Sequence, residues 1–293
     1  MRPAAGVDVE RDVTVLVKTF ERPDELRRLV RSIRRFYPRI GILVVDDSQQ
    51  PLEPVPEGIT RYLHLPFDSL GVSAGRNLGL REVRTPFVLF CDDDMVFGRR
   101  TDLARMLRTL VTTRFDVVSC RWMDHEPWRS LRRGYRRYEG TLEIEHGTLV
   151  HRLGATRGSL DGLPVFDIVH QFFLARTDTL GPDPWDARFK VAGEHVALFL
   201  SFKERGLVCT RLPDVVVYHY PALPPRYMRF RTNTAPDVRL LHATLGVERQ
   251  VTVGRLFAPA DRVRYELPSR VAAAGRRALR VGRRLVREGR LRA

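Results

Sequence analysis

The chain has 293 residues, 43% of them apolar, and a formal charge of +15 at pH 7. That apolar share argues against wholesale disorder, and the length suits one large domain or one domain with an appendage. Three cysteines, Cys91, Cys120 and Cys209, are odd in number and lack metal-ligand spacing. They read as reduced, buried thiols of a cytoplasmic protein rather than as a disulfide framework.

The opening stretch MRPAAGVDVERDV has no apolar leader core, and no later run approaches the length of a membrane-spanning helix, so no segment is expected to cross a membrane. Val13 to Val17 is a short β-branched run of the kind that forms a buried strand. Pro23 opens a helix, with Asp24 and Glu25 in its first turn and Leu26, Leu29, Val30 and Ile33 at helical spacing. Gly41 to Val45 predicts a second strand, Arg61 to Leu65 a weaker third, and Ser73 to Val83 another helix. Phe87 to Cys91 predicts a further strand, residues 101–111 a helix, and Asp116 to Cys120 a strand. This alternation implies right-handed crossovers and a doubly wound, mostly parallel α/β sheet.

After residue 122 the rhythm breaks, and residues 122–165 read as an irregular insertion or β-hairpin. Phe166 to Ala175 is apolar again, Gly193 to Arg205 predicts a helix, and Leu207 to Tyr218 a last strand. Residues 221–268 carry many prolines and no period, and read as an irregular C-terminal extension of a domain over 12–220. Residues 269–293 hold nine arginines against one acid, Glu288, so this tail alone carries +8. Val271, Ala274, Ala278, Val281 and Leu285 recur at helical spacing, which describes a basic amphipathic helix suited to an anionic membrane surface. Gly275, Gly282 and Gly289 weaken that helix, leaving a solvated tail as the alternative. The expected location is cytoplasmic, peripheral to the inner face of the membrane if the tail binds it.

Two predicted strands end in acids: Val45 runs into Asp46 and Asp47, and Cys91 into Asp92, Asp93 and Asp94. Ligands of open α/β sheets bind at the carboxyl ends of strands, so both clusters are expected at one crevice. Adjacent carboxylates need a compensating cation, and Mg²⁺ or Mn²⁺ bridging them to substrate phosphates fits; a solvated acidic turn is the plainer reading. Gly71 to Asn77 places two glycines, Ser73 and Arg76 at a helix start, a weak phosphate-binding signal on its own.

Lys18-Thr19-Phe20, SIRRFYP at 32–38, VVDDS at 44–48, AGRN at 74–77, DDDMVF at 92–97, FFLARTD at 172–178 and DVVVYH at 214–219 together resemble the inverting, family 2-like GT-A glycosyltransferases. Among these the pattern is similar to the ganglioside-type β-1,4-N-acetylgalactosaminyltransferases and their bacterial relatives, over roughly residues 12–220. The resemblance implies a UDP-sugar donor, with N-acetylgalactosamine favoured over galactose or N-acetylglucosamine, and a glycan or glycolipid acceptor. It implies that Thr19 and Asp46, with Asp47 beside them, cradle uracil and ribose, and that Arg76 and Asn77 lie beside the nucleotide and sugar. Asp92 and Asp94 match the outer positions of a D-x-D motif, with Asp93 between them on the nucleotide side. His219 stands where many members supply another metal ligand, or is a satisfied histidine at a strand end.

Inversion needs a carboxylate base, and Glu194 at a predicted helix start is the first candidate, its plain alternative being a helix-dipole residue. The family pattern carries a further acid where this chain has Ala197, so Asp167 and then Asp186 stand as alternatives. Two other functions compete. A sugar nucleotidyltransferase would carry a glycine-rich loop after the first strand, where this chain has Lys18 to Pro23. A basic nucleic-acid binder would use the arginine tail but gives no reason for two acidic clusters at strand ends.

Overall fold

The computed structural model describes residues 6–66, 71–124, 135–221, 223–255 and 257–258. The chain divides into Met1–Pro259 and Ala260–Ala293, and every described residue lies in the first unit. The basic tail 269–293, and with it the membrane-surface expectation, lies outside the described residues. No helix among the described residues is long and apolar enough to cross a membrane.

The first half runs α1 (Val9–Asp12), β1 (Val13–Thr19), α2 (Pro23–Phe36), β2 (Gly41–Asp46), β3 (Arg61–His64), α3 (Gly71–Glu82), β4 (Phe87–Asp92), β5 (Met95–Val96), α4 (Leu103–Thr112) and β6 (Val117–Asp124). There follow β7 (Tyr135–Arg136), β8 (Gly140–Glu145), β9 (Thr148–Leu153), β10 (Ser159–Leu160), β11 (Leu163–Pro164), β12 (Phe173–Arg176) and α5 (Thr177–Leu180). The last elements are α6 (Glu194–Glu204), β13 (Cys209–His219), α7 (Pro225–Arg231), α8 (Ala235–Leu245), β14 (Arg249–Val253) and β15 (Phe257–Ala258).

The main sheet has the spatial order β3-β2-β1-β4-β12-β6, with β13 beside β6. Strands β3, β2, β1 and β4 are parallel, β12 runs antiparallel between β4 and β6, and β13 is parallel to β6. The alternation of side chains along β1 explains its apolar positions Val13, Val15, Leu16 and Val17. Val13, Val15 and Val17 join Leu26, Leu29, Val30 and Ile33 of α2 in one core. Leu16, between them in sequence, points to the other face and joins Leu43, Val45 and Leu80 in a second. The four α2 residues are at most 1% exposed, and burying each contributes roughly 1.5–3 kcal/mol. Truncating Leu29 to alanine would therefore cost about 2–5 kcal/mol. On the opposite face α3 lies so close to β1 that a Cβ on Gly79 would sit 2.4 Å from Leu16 Cδ1, and one on Gly75 2.5 Å from Lys18 Cε.

Two expectations need correction. The strand predicted to end at Cys120 continues to Asp124 as β6, because its end pairs with β13 and β7. Of the two readings of residues 122–165, the described residues show the hairpin: β8 and β9 pair antiparallel, and β10 and β11 form a second, shorter pair. Residues 221–255 are not irregular. They form α7 and α8 and then β14, which adds to β9 in parallel. Proline misled the reading there, since Pro225 and Pro236 occupy the first turns of their helices, where no backbone N–H is needed. Helix α8 also buries only Asp237 and Leu241, too few residues to show an apolar period.

Candidate active site

The carboxyl ends of β1, β4, β6 and β13 border a cavity of about 700 Å³. Its other walls are the start of α3 at Gly71 and Val72, the loop 190–193 with the start of α6, and Tyr227 and Phe230 of α7. Strand β1 lies between β2 and β4, so the two acidic clusters flank Lys18 and Thr19 instead of touching each other.

The compensating charge expected from a metal is supplied in large part by the chain itself. Lys18 pairs with Asp47 and donates to the Thr19 carbonyl at 2.7 Å. Burial pulls the Lys18 ammonium below its ordinary range, with Asp47 pulling the other way. Arg22, at the mouth of α2, pairs with Asp93 and donates to Asp94 Oδ2 at 2.7 Å. Its guanidinium also lies 4.3 Å from the centre of the Tyr227 ring. Asp93 is fully buried and accepts from Thr19 Oγ1 at 2.7 Å. Burial pushes its carboxyl up to about 7, against Arg22 and with the help of Asp94. Asp93 lies off the cavity wall, on which Asp92 and Asp94 stand.

His219 ends β13 between two carboxylates. Its Nδ1–H donates to Asp124 Oδ1 at 2.7 Å, and its Nε2 faces Asp94 Oδ2 at 3.4 Å. Burial opposes a charged imidazole here, but the bonds to Asp124 and Asp94 outweigh it and push the pKa up to about 9. His219 and Arg22 together hold Asp94 below the usual carboxylate range, again against burial. The group fits a divalent cation in three respects. Asp94 Oδ1 is buried without a hydrogen-bond partner. The Nε2–Oδ2 separation suits two ligands of one ion at about 2.1 Å each. The Asp124–His219 bond is the carboxylate–histidine support that orients a ligating imidazole. Among the described residues no set of three or more His, Cys, Asp or Glu side chains could hold a metal alone. An ion here would complete its shell with phosphate oxygens and water.

Glu194 is the first residue of α6, behind Gly193, whose φ of 79° turns the chain into the helix. Arg76 links it to the acidic cluster, donating through Nη1 to Glu194 Oε1 at 3.3 Å and through Nη2 to Asp92 Oδ1 at 2.9 Å. The loop before α6 is fixed from the C-terminal segment. Asp237 Oδ2 accepts from the backbone N–H groups of Lys190, Val191 and Ala192 at 3.2, 2.6 and 2.8 Å.

Thr19, Asp47, Arg76, Asp92, Asp94, Glu194 and His219 thus meet at one cavity. Five other candidates, Asp93 among them, do not. Asp46 is buried away from the cavity wall; its Oδ1 accepts from Ser48 N and Oγ at 2.8 and 2.5 Å, and its Oδ2 from the Tyr62 hydroxyl at 2.7 Å. Of the two neighbouring acids it is Asp47 that lines the wall. Asn77 is turned from the cavity and clasps the backbone of Trp185, donating to its carbonyl at 2.7 Å and accepting from its N–H at 3.0 Å. Asp167 accepts from Leu142 N at 2.9 Å, Lys203 Nζ at 3.0 Å and Arg157 Nη1 at 3.1 Å, which ties β8 to α6 off the cavity wall. Asp186 is engaged by Arg188 and is likewise absent from the wall.

Several wall residues escaped the sequence reading: Arg22, Trp122, Tyr138, Gln171 and Lys190, and Asp237 behind the wall. For Gln171 a signal existed, a polar residue directly before the apolar run FFLA; for the others the sequence offers none.

The family model for glycosyl transferase family 2 matches residues 14–180. β-1,4 N-acetylgalactosaminyltransferase 2 of Mus musculus is 34% identical over 239 residues, 76% of this chain and 44% of the mouse protein. β-1,4 N-acetylgalactosaminyltransferase 1 of Homo sapiens is 38% identical over 218 residues, 71% of this chain and 38% of the human protein. The chain thus spans less than half the length of these two relatives. Among solved structures, S. aureus TarS 1-349 in complex with UDP-GlcNAc aligns with a TM-score of 0.57 at 16% identity, over 81% of this chain and 67% of that one. At that identity the likeness speaks for the fold alone. The chain belongs to glycosyl transferase family 2, and its Rossmann-like sheet is the GT-A fold.

Proposed function

We propose that the protein is an inverting transferase that moves a sugar, an N-acetylhexosamine by preference, from a UDP-sugar to a hydroxyl of a glycan or glycolipid. The observation that carries this reading is the Asp92–Arg76–Glu194 chain, which joins a strand-end acid to a carboxylate across the cavity. The named relatives support an N-acetylgalactosamine donor, and the UDP-GlcNAc bound by TarS supports a UDP carrier.

Glu194 takes the proton of the acceptor hydroxyl as that oxygen attacks the anomeric carbon. The new C–O bond forms opposite the breaking bond to phosphate, whose electron pair leaves with UDP. Arg76 holds Glu194 in place and presents positive charge between it and the departing group. The start of α3 offers backbone donors to phosphate. Asp92, Asp94 and His219 would hold a divalent cation, Mn²⁺ or Mg²⁺. When bound, it supplies charge neutralisation of the diphosphate.

The test is a panel of UDP-sugars scored for transfer and hydrolysis with Mn²⁺ and with chelator. Turnover of a UDP-N-acetylhexosamine that chelator abolishes is expected. Undiminished turnover in chelator contradicts the metal role, and no affinity for any UDP-sugar contradicts the whole proposal.

A further inference from the structure

A tyrosine packed into a protein offers an apolar ring and a hydroxyl that usually finds a hydrogen-bond partner. Four tyrosines here follow that rule. The Tyr37 hydroxyl donates to the Thr101 carbonyl at 2.7 Å, and that of Tyr62 to Asp46 Oδ2 at 2.7 Å. The Tyr135 hydroxyl accepts from Arg100 Nη1 at 3.2 Å, and that of Tyr227 from Arg231. Tyr138, on the cavity wall, departs from it. Its hydroxyl bonds no other side chain or backbone group among the described residues, and it is not sealed from solvent as the buried unpartnered atoms are.

The ring is held in place without help from that hydroxyl. Its centre lies 5.2 Å from that of His151, 5.9 Å from that of His170 and 5.0 Å from that of His195, the residue after Glu194. The Tyr138 carbonyl meets His151 Nε2 at 2.8 Å, and its N–H donates to Glu139 Oε2 at 3.1 Å. Burial pushes the phenol above its ordinary range, and the negative charge of Glu194 pushes it the same way. The group therefore stays an O–H at any working pH. It is a fixed donor and never a base. Glu194 is close enough to act on the phenol by its charge, yet the two side chains do not bond each other. Arg76 engages Glu194 Oε1 at 3.3 Å, and among the described residues nothing bonds Oε2.

One cavity thus presents a hydroxyl donor on Tyr138 and an open carboxylate oxygen on Glu194. Their joint complement is a molecule with a hydroxyl hydrogen for Glu194 and an oxygen acceptor for Tyr138. The attacking oxygen directs its lone pair at the anomeric carbon, and a bond from Tyr138 to that oxygen would weaken it as a nucleophile. The Tyr138 bond therefore falls on a neighbouring oxygen of the same molecule. Adjacent hydroxyls of a sugar ring supply both.

We infer that Tyr138 is an acceptor-binding residue, whose O–H donates to the sugar hydroxyl next to the one that Glu194 deprotonates. The inference rests on the transferase reading above, with Glu194 as base. It goes beyond that reading by naming a residue that orients the acceptor and by requiring adjacent hydroxyls on it.

The test compares wild type with Tyr138→Phe, using UDP-GalNAc as donor. Methyl β-galactoside and methyl β-glucoside serve as probe acceptors, and water alone serves as the acceptor in hydrolysis. The variant is expected to lose about three- to tenfold in kcat/KM for the glycoside, the worth of one neutral hydrogen bond. Hydrolysis and KM for UDP-GalNAc should stay within about twofold, because neither uses the acceptor. The Tm should not fall, since the hydroxyl bonds nothing in the free protein. One monodeoxy form of the better glycoside should be transferred equally well by both enzymes, because it lacks the oxygen that Tyr138 holds. An unchanged kcat/KM for the glycoside overturns the inference. So does a loss shared equally by hydrolysis or by KM for UDP-GalNAc, which would make Tyr138 a donor contact, and so does a lowered Tm, which would make it structural. A wild type that hydrolyses UDP-GalNAc but glycosylates neither probe overturns the adjacent-hydroxyl reading and leaves the transferase reading standing. A wild type with no affinity for any UDP-sugar overturns the parent reading, and this one with it.

Discussion

Asp237→Ala is the sharpest test of how the C-terminal segment serves the active site. One carboxylate oxygen accepts three consecutive backbone N–H groups, at 3.2, 2.6 and 2.8 Å, in the loop that ends at Glu194. A hydrogen bond to a charged acceptor contributes about 1.5–3 kcal/mol, but these half-exposed amides regain water when the acceptor is removed. The net loss should therefore be about 2–4 kcal/mol, which for a chain of this size lowers Tm by roughly 5–15 °C. Released, the loop lets Glu194 drift, and a displacement near 1 Å at a catalytic group costs on the order of 10²-fold in kcat. Thermal unfolding and initial-rate kinetics read both effects. Asp237→Asn, which keeps one acceptor oxygen, should fall between wild type and alanine. An alanine variant with Tm within about 2 °C and kcat within about twofold of wild type would refute the reasoning.

Glu194→Gln should leave UDP affinity intact and lower transfer by about 10²–10⁴-fold; near-normal transfer would disqualify it as the base. Asn77→Ala should destabilise the fold by about 2–3 kcal/mol in denaturant titrations, with KM for the UDP-sugar within about threefold of wild type, because its amide holds Trp185 and not the donor. His219 has a folded pKa pushed up to about 9, above its unfolded value of about 6.5, so in chelator its contribution is fully present below pH 6.5 and is lost as pH rises through 9. The stability difference between wild type and His219→Ala should accordingly shrink by up to about 3 kcal/mol between pH 6 and pH 10, and a difference independent of pH would contradict the Asp94–His219–Asp124 arrangement.

The parts of the fold that the sequence discloses are those in which burial imposes one period. In β1, Val13, Val15 and Val17 face one core and Leu16 the other, and α2 repeats its four buried residues at helical spacing. The acidic ends of β2 and β4 were legible for the same reason, since a run of carboxylates after a buried strand has nowhere else to go. What the sequence hid is the pairing. Arg22 and Asp93 are 71 residues apart, and Asn77 and Trp185 are 108 apart, so no local pattern announces either contact. The pairing of Arg22 and Arg76 with the acidic triplet is likewise invisible in the sequence. Asp46 and Asp47 illustrate the finer limit. Adjacent acids look equivalent in the sequence, but the strand end turns one towards Ser48 and Tyr62 and the other towards Lys18 and the cavity.

The claim that this cavity is the nucleotide-sugar site is tested most directly by amide hydrogen exchange with and without UDP and Mn²⁺. Slower exchange is expected at residues 19–22, 71–73 and 190–194, with residues 159–164 on the β10–β11 pair unchanged. Protection elsewhere, or none at saturating UDP, would contradict it.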